Sequence, residues 1–296
     1  MGKAALPAVA PLLAEGLLRR RNGALPVLTV ACENVLGNSE YLAELVRNAA
    51  GEHAGRIAEI AAFPNCVVDR IVPDWSKFLS DHPLIVCVEE YAQWIIDATA
   101  LTVTLPIAGV EYREDLHVVL AQKLCTLNMA HAIVGYYGYL RGHTCIHDAM
   151  RDCDIRALLD GAIREAGSAL QATFGIPKAR QEVYAAQVVH RLENPALRDP
   201  IARVARDPMR KLGAHDRLVR PAVDAVRAAV IPAHLATGIA AALAYDASGD
   251  REAGELQELI RMVVVREALR RVSGIPEDGA LADLVHATVH FGALRT

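Results

Sequence analysis

Residues 116–140 read LHVVLAQKLCTLNMAHAIVGYYGYL, and this stretch decides how the rest of the chain is interpreted. It contains no proline, and apolar side chains occupy almost every side of the helix that it predicts. That pattern is typical of a helix buried in a protein core. A membrane span of this length is the alternative, but the lysine, asparagine and histidine near its centre would be costly in lipid. The stretch therefore predicts one long core helix and no membrane partner.

Three polar side chains interrupt this helix, namely Lys123, Asn128 and His131. At the periodicity of an α-helix they fall at about 0°, 140° and 80°, so they share one side. Burial disfavours the charged form of a lysine and lowers its pKa toward values at which it accepts a proton near neutrality. This is the profile of a general base. A buried structural network of the three side chains is the alternative interpretation.

The composition limits the classes of function. The chain has 296 residues, 53% of them hydrophobic, which is enough for two domains with their own cores. A net charge of −4 gives no general attraction to nucleic acid or anionic membranes, so neither is a predicted partner. The six cysteines form no C-x-x-C pair, and the N-terminus lacks the pattern of a signal peptide. Together these features predict a reducing, cytoplasmic location.

The first part of the chain has mixed strand and helix patterns. A β-branched run at 25–32 predicts a strand, and further strand-like runs lie at 62–73, 84–88 and 94–97. Glu33 and Asn34 follow the first of these strands. The carboxyl ends of strands are where α/β sheets bind ligands, so both are candidate cofactor-binding residues, with simple turn chemistry as the alternative. Asn65, at the turn that enters the next strand, is a candidate hydrogen-bonding partner of the substrate.

The second part has helical periodicity throughout. Helices are predicted at 115–140, 143–174, 178–192, 199–206, 215–245, 254–273 and 279–291. The predicted fold class is α/β followed by all-α: a partial Rossmann-like part at residues 1–113, then a mainly helical substrate and catalytic domain at 114–296.

A basic connector occupies residues 206–221. Arg210 and Lys211 stand beside a predicted helix N-terminus, where charge and backbone amides together can hold a phosphate. The alternative is a solvated basic surface. A separate stretch, His143-Thr-Cys-Ile-His147 followed by Cys153, has ligand types that suit zinc, but its spacing is not standard. No metal is predicted.

Two motifs in order give the chain a specific resemblance. Lys-x-x-x-x-Asn-x-x-His at 123–131 and FPNCVVDRIVP at 63–73 resemble the polyol-specific long-chain dehydrogenases, the mannitol dehydrogenase family. Further stretches make the chain more similar to the members that act on mannitol 1-phosphate than to the mannitol 2-dehydrogenases or the uronate reductases. These stretches are 31–34, 94–97, 124–133, 193–195 and 208–218.

The resemblance implies NAD-linked interconversion of D-mannitol 1-phosphate and D-fructose 6-phosphate without a metal. It implies that Lys123 is the general base, and that Asn128 and His131 orient and polarise the reacting oxygen. Asn65 matches a second oxygen-binding asparagine of the mannitol 2-dehydrogenases. Arg210 and Lys211 are the positions favoured for the substrate phosphate.

The sequence departs from the family in one respect. No strand here is followed by the G-x-G-x-x-G arrangement that holds a dinucleotide pyrophosphate. We therefore expect weak or absent NAD binding by this chain alone. Either the chain is a truncated or mis-started gene product, or another polypeptide supplies the other nucleotide-binding half. The alternatives are a non-catalytic remnant or subunit that binds a sugar phosphate or a partner protein, a related polyol or uronate dehydrogenase, and, more distantly, a helical interaction module.

Overall fold

The computed structural model describes residues 6–21, 25–73, 81, 84–101 and 104–290. The chain divides into two compact units. Unit 1 comprises Met1–Ile71 and Glu90–Leu120, and unit 2 comprises Val72–Glu89 and Ala121–Thr296. The predicted domain boundary at residue 113 stays a prediction, since this division falls at residue 120 and assigns residues 72–89 to unit 2.

The strands of unit 1 form two small sheets. β1 (Val27–Leu28) pairs in parallel with β2 (Ala61–Ala62). β3 (Cys66–Asp69) pairs antiparallel with β4 (Gln93–Asp97), and β4 pairs in parallel with β5 (Val110–Arg113). The strand predicted at 25–32 is thus present but shorter than expected.

The strand predicted at 84–88 is wrong, because these residues form no regular structure. An apolar run becomes a strand only where another strand offers backbone hydrogen bonds. This run belongs to unit 2, whose described residues contain helices and no strand longer than a single bridge. The run ends at Glu89, which forms a buried ion pair with Arg191 of the same unit, with N···O distances of 2.9 and 2.7 Å.

The helices of unit 1 provide its larger core. α1 (Leu6–Leu18), α2 (Asn38–Ala50) and α3 (Ala54–Ile60) pack their apolar sides together. Residues 7–21 have apolar side chains at helical spacing, which predicts a helix that ends at Asn22-Gly23. The buried residues of α1 recur at that spacing, so this helix is confirmed. The Asn22-Gly23 pair expected to end it lies outside the described residues.

The long predicted helix spans the division between the units and is confirmed. It consists of α4 (Leu116–Lys123), a π turn (Leu124–Asn128) and α5 (Met129–Leu140). Its length and composition would suit a membrane span, but 72% of its most apolar 18-residue window is buried inside the protein. It is therefore placed as the core helix that the sequence predicted.

The remaining helices of unit 2 pack against α5 or against one another. In chain order they are α6 (Ile146–Ala149), α7 (Cys153–Phe174), α8 (Lys178–Leu192), α9 (Ile201–Ala205), α10 (Pro208–Lys211), α11 (Val219–Arg227), α12 (Ala233–Leu243), α13 (Arg251–Met262), α14 (Val265–Ser273) and α15 (Ala280–His290).

Three of the predicted helices are each two helices. The break within 215–245 has a local cause, because Ala229 has a φ of +57° and Pro232 directly precedes α12. Val263 and Val264 adopt extended conformations between α13 and α14. The 143–174 prediction is interrupted before α7, where the Asp152 side chain caps the new helix by accepting hydrogen bonds from two backbone amides.

Candidate functional site

The π turn separates two of the predicted catalytic residues. The amide of Met129 donates to the carbonyl of Leu124, five residues back, and also to that of Thr126. Such a turn holds one residue more than a turn of α-helix, so it rotates the residues on its two sides relative to each other by about 100°. Lys123 and Asn128 are five apart, so they are aligned more closely than the 140° expected of a regular α-helix. His131 follows Asn128 by three residues and is its neighbour on α5.

These three side chains differ in exposure. Lys123 is buried, with 8% of its surface exposed, while Asn128 and His131 are half-buried. This arrangement combines a desolvated amine with two polar groups that solvent or a ligand can reach. It suits proton transfer at a bound hydroxyl.

His131 is held by a carboxylate that the sequence reasoning missed. Its Nε2 lies 2.9 Å from Oδ2 of Asp199, and Asp199 accepts two hydrogen bonds from Arg203 at 2.7 and 2.6 Å. Burial acts to raise the pKa of Asp199, but hydrogen bonds and charge from His131 and Arg203 outweigh burial and lower the pKa to about 2. An ionised carboxylate on Nε2 fixes the orientation of the imidazole.

Close packing brings Asp199 to His131. Residues 201–205 form α9, directly after Asp199, and α9 passes over two glycines of α5. A Cβ on Gly135 would lie 2.9 Å from Val204, and one on Gly138 would lie 2.8 Å from Ile201. Only glycine permits this approach without a shift of the neighbours. The Gly-x-x-Gly spacing was the available sequence signal for a helix packed at this point.

Two buried hydrogen bonds connect Gln181 of α8 with α4 and with the π turn. Gln122 Nε2 donates to Gln181 Oε1 at 3.0 Å, and Gln181 Nε2 donates to Thr126 Oγ1 at 2.9 Å. All three side chains are buried. Sequence reasoning missed Gln181 and Thr126, because Thr126 occupies an unspecified position of the motif, Gln181 lies outside it, and their contact joins residues 55 apart in the chain.

Lys211 is buried and engaged with backbone. Its ammonium donates to the carbonyl of Val204 at 2.6 Å and to that of Arg206, and it lies 5.6 Å from the centre of the Tyr136 ring. Burial, aided by the positive charges of Arg217 and Arg210, lowers the pKa of Lys211 to about 7. The carbonyls and the ring face act in the opposite direction by favouring the ammonium. Lys211 thus caps the carboxyl end of α9.

Arg210 has a different environment. Its guanidinium is about half exposed and lies 3.3 Å from Asp207 and 3.4 Å from Asp216. Its backbone amide donates to Glu252. Of the two predicted phosphate-binding residues, Arg210 is therefore the one with donors at the surface, although neither assignment is tested by these contacts.

Asn65 serves a local structural role in unit 1. Its side-chain oxygen accepts hydrogen bonds from the amides of Ser39 (3.1 Å) and Glu40 (3.2 Å), which are donors in the first turn of α2. Its own backbone oxygen accepts from Asp97. The contact of Asn65 with substrate stays a prediction. Because the side-chain oxygen already accepts two hydrogen bonds, the side-chain nitrogen is the group that would donate to the substrate.

Glu33 and Asn34 lie in the loop after β1, as predicted. Glu33 is half-buried and Asn34 is exposed. The side-chain nitrogen of Asn38 donates to the carbonyls of Glu33 (3.0 Å) and Cys66 (2.9 Å), which ties this loop to β3. A fixed loop with polar side chains at the carboxyl end of a parallel strand fits a role in hydrogen bonding to a dinucleotide.

The stretch considered for zinc divides into two separate clusters among the described residues. Cys145, His147 and Asp148 have ligand atoms within 4.8 Å of one another, as do Asp152, Cys153 and Asp154. His143 instead lies 3.3 Å from Asp152. We assign no metal to either cluster.

Comparison with known families identifies the class of protein. The family model described as the mannitol dehydrogenase Rossmann domain matches residues 1–108, and the mannitol dehydrogenase C-terminal domain matches residues 115–295. The chain therefore belongs to the mannitol dehydrogenase family, and the predicted resemblance is confirmed.

Individual relatives sharpen this assignment. The mannitol-1-phosphate 5-dehydrogenase of Anoxybacillus flavithermus is 38% identical over 281 residues, which cover 94% of this chain and 73% of that protein. The enzyme of the same name from Bacillus subtilis is 39% identical over 277 residues, 93% of this chain and 72% of that protein. The chain thus spans about three quarters of the length of these relatives.

Solved structures show the same fold. A D-sorbitol dehydrogenase in substrate-free form matches with a TM-score of 0.69 at 21% identity, over 99% of this chain and 69% of that one. Pseudomonas fluorescens mannitol 2-dehydrogenase, in a ternary complex with NAD and D-mannitol, matches with a TM-score of 0.66 at 19% identity, over 98% of this chain and 65% of that one. The predicted fold class, a Rossmann-like part followed by a helical domain, is confirmed.

Proposed function

We propose that this chain catalyses the NAD-linked interconversion of D-mannitol 1-phosphate and D-fructose 6-phosphate, with Lys123 as the general base. The observation that carries the proposal is the alignment of Lys123, Asn128 and His131 along one buried helix through a π turn. Relatives named mannitol-1-phosphate 5-dehydrogenase, at 37–39% identity, support the choice of substrate.

The chemistry assigns one task to each residue. Oxidation of a secondary alcohol to a ketone removes a hydride from carbon and a proton from oxygen. NAD supplies the hydride acceptor when it is bound. Lys123 takes the hydroxyl proton, and the buried site favours its neutral form before transfer. The amide of Asn128 donates a hydrogen bond to the oxygen as negative charge develops on it. His131, oriented by Asp199, completes the positioning of that oxygen.

Other contacts of the substrate and cofactor are proposed from position. Glu33 and Asn34 would hydrogen-bond to NAD from the loop after β1, and Asn65 would contact a substrate hydroxyl. Arg210, with Lys211 beside it, would bind the phosphate. A polypeptide carrying a glycine-rich turn would complete the nucleotide site, because no such turn occurs in this sequence. We place the protein in the cytoplasm.

The test is Lys123→Ala, assayed in this chain and in a chimera in which a strand, a glycine-rich turn and a helix that bind a dinucleotide are placed before residue 1. Turnover, measured as NADH formed from D-mannitol 1-phosphate, should fall about 10³-fold, because a general base acts in the transition state. Binding of the substrate, measured by calorimetry, should change by less than about threefold. Lys178→Ala is the matched control, since Lys178 is an exposed lysine in unit 2 paired with Glu182.

Other outcomes have distinct meanings. Unchanged turnover in Lys123→Ala would remove this residue from the mechanism. Binding of D-mannitol 1-phosphate by the unmutated chain without any NADH formation, in the chimera as well, would instead support the non-catalytic sugar-phosphate-binding subunit.

A further inference from the structure

The π turn at Leu124–Asn128 receives a hydrogen bond from outside its own helix. Gln181 of α8 donates to the hydroxyl of Thr126, at the centre of the turn, and Gln122 of α4 donates to Gln181. One side chain of α8 therefore connects the last turn of α4 with the middle of the π turn.

The surroundings keep water away from this chain of hydrogen bonds. Thr126 has no exposed surface, and Gln122 and Gln181 expose 7% and 5%. A buried amide or hydroxyl that loses its partner costs about 1–3 kcal/mol. Loss of any one of the three side chains would leave a buried polar group without its partner. Thr126 is therefore held at hydrogen-bonding distance from Gln181.

The neighbouring helix α7 leaves room for Gln181. A Cβ added to Gly167 would lie 3.3 Å from Cγ of Gln181, which is tighter than an ordinary contact. Gln181 is thus confined between α7 and the π turn. Confinement limits the positions from which its amide can hold Thr126.

The sequence of the turn gives no local reason for a π conformation. Residues 124–128 are LCTLN, with no proline or glycine to widen the helix. π turns are rare and occur mostly as single insertions within α-helices, frequently at functional sites. The stabilisation of this one must therefore come largely from tertiary contacts.

A return of this segment to α-helix would misalign the site. The following helix α5 is fixed against α9 by the close contacts of Gly135 and Gly138. Relaxation would therefore rotate the preceding turn, which carries Lys123, by roughly one residue or about 100° relative to Asn128.

We propose that Gln181 is a positioning residue, which holds Thr126 and with it the π turn that sets Lys123 and Asn128 on the same side of the helix. This inference rests on the proposed roles of Lys123 and Asn128 but concerns a residue outside their motif. Gln181 touches neither the reacting atoms nor the substrate in this role.

The kinetic experiment uses the same chimera as the Lys123→Ala test, with Gln181→Leu, Thr126→Val and Thr126→Ser. Leu and Val keep the volume but remove the hydrogen bond, and turnover should fall about 10–100-fold with KM within about threefold. Thr126→Ser retains the hydroxyl and should keep turnover within about twofold. The matched control is Gln187→Leu, the same change at an exposed glutamine of α8.

The structural experiment needs no activity. In a crystal structure of Gln181→Leu, the Met129 amide should donate to the carbonyl of Cys125, four residues back, in place of Leu124. If Gln181→Leu fails to fold, the same measurement is made on Thr126→Val.

The two experiments separate this inference from the proposed function. If the chimera that carries the unmutated chain is inactive with D-mannitol 1-phosphate, the proposed function is contradicted, while the hydrogen bond of Met129 still tests the role of Gln181. A retained π turn in Gln181→Leu would overturn the inference. The inference would also be overturned if Gln181→Leu kept its turnover per folded molecule while its midpoint of thermal unfolding fell. Gln181 would then only stabilise the fold.

Discussion

Among its described residues, unit 2 buries two lysines, Lys123 and Lys211, and their surroundings differ. Around Lys211 the connector supplies its own acceptors, because the ammonium donates to the carbonyls of Val204 and Arg206, only seven and five residues away. Around Lys123 the supporting groups come from distant parts of the chain, with Gln181 bonded to the π turn and Asp199 to His131. Burial of a lysine is common to both regions, so burial alone does not indicate catalysis.

The two lysines differ in the hydrogen bonds that surround them. Lys211 satisfies carbonyls at the end of α9 and thereby stabilises the segment that carries Arg203. The contacts at the other helix hold the positions of side chains around an amine. The hydrogen bonds of Lys211 thus go to backbone carbonyls, whereas those near Lys123 hold His131 and the π turn.

After Lys123→Ala, the largest effect is expected from Asp199→Asn, which removes the charged partner of His131. An amide can still hydrogen-bond to His131 but provides no charge, so turnover should fall about a hundredfold, as an oriented imidazole is lost. The measurement is kcat and KM for D-mannitol 1-phosphate in the chimera, in which kcat should fall and KM should change by less than about threefold. Asp160→Asn is the control, because it changes an aspartate paired with Arg156 at the surface of the same unit. Wild-type turnover in Asp199→Asn would contradict the role of this carboxylate.

The second effect is expected at the structural lysine and concerns stability. The pKa of Lys211 is about 7 in the folded chain against an ordinary value of 10.5. Between pH 7 and 9 the unfolded chain therefore binds more protons at this residue than the folded chain does. The free energy of unfolding of the wild type should rise over this range, relative to Lys211→Met, by about 2 kcal/mol.

Urea unfolding at pH 6, 7, 8 and 9 measures this difference, with Lys178→Met as the exposed control. Below pH 7 the two curves should run parallel, because Lys211 is then protonated in both the folded and the unfolded chain. Parallel curves up to pH 9 would show that the carbonyls and the Tyr136 ring keep the ammonium charged.

The smallest effect is expected at Arg210, the exposed cation of the connector. Arg210→Ala removes one charged group that would hydrogen-bond to the phosphate. It should raise KM for D-mannitol 1-phosphate about fivefold to tenfold and leave turnover nearly unchanged. Arg151→Ala, at an exposed arginine paired only weakly with Asp148, is the control. An equal change in KM for D-mannitol, which lacks the phosphate, would assign Arg210 to the structure of the connector.

Several features of the site could be read from local sequence. The apolar run at 116–140 predicted a buried helix, and the spacing of Lys123, Asn128 and His131 predicted that they share one side of it. The same reading overextended three helices, because short breaks such as the one before Pro232 depend on single residues. It also predicted a strand at 84–88, where no neighbouring strand exists among the described residues of unit 2.

By itself, the sequence determined the core helix, the three polar residues on it and the family to which the chain belongs, because these depend on periodicity and motifs within a few turns. Only the tertiary structure decided the π turn, the support of His131 by Asp199 and the capping role of Lys211. Asp199 and Gln181 lie 68 and 55 residues from their partners, so no local pattern connects them. Their contacts exist because helices pack where small residues allow close approach, and buried polar groups must then find partners.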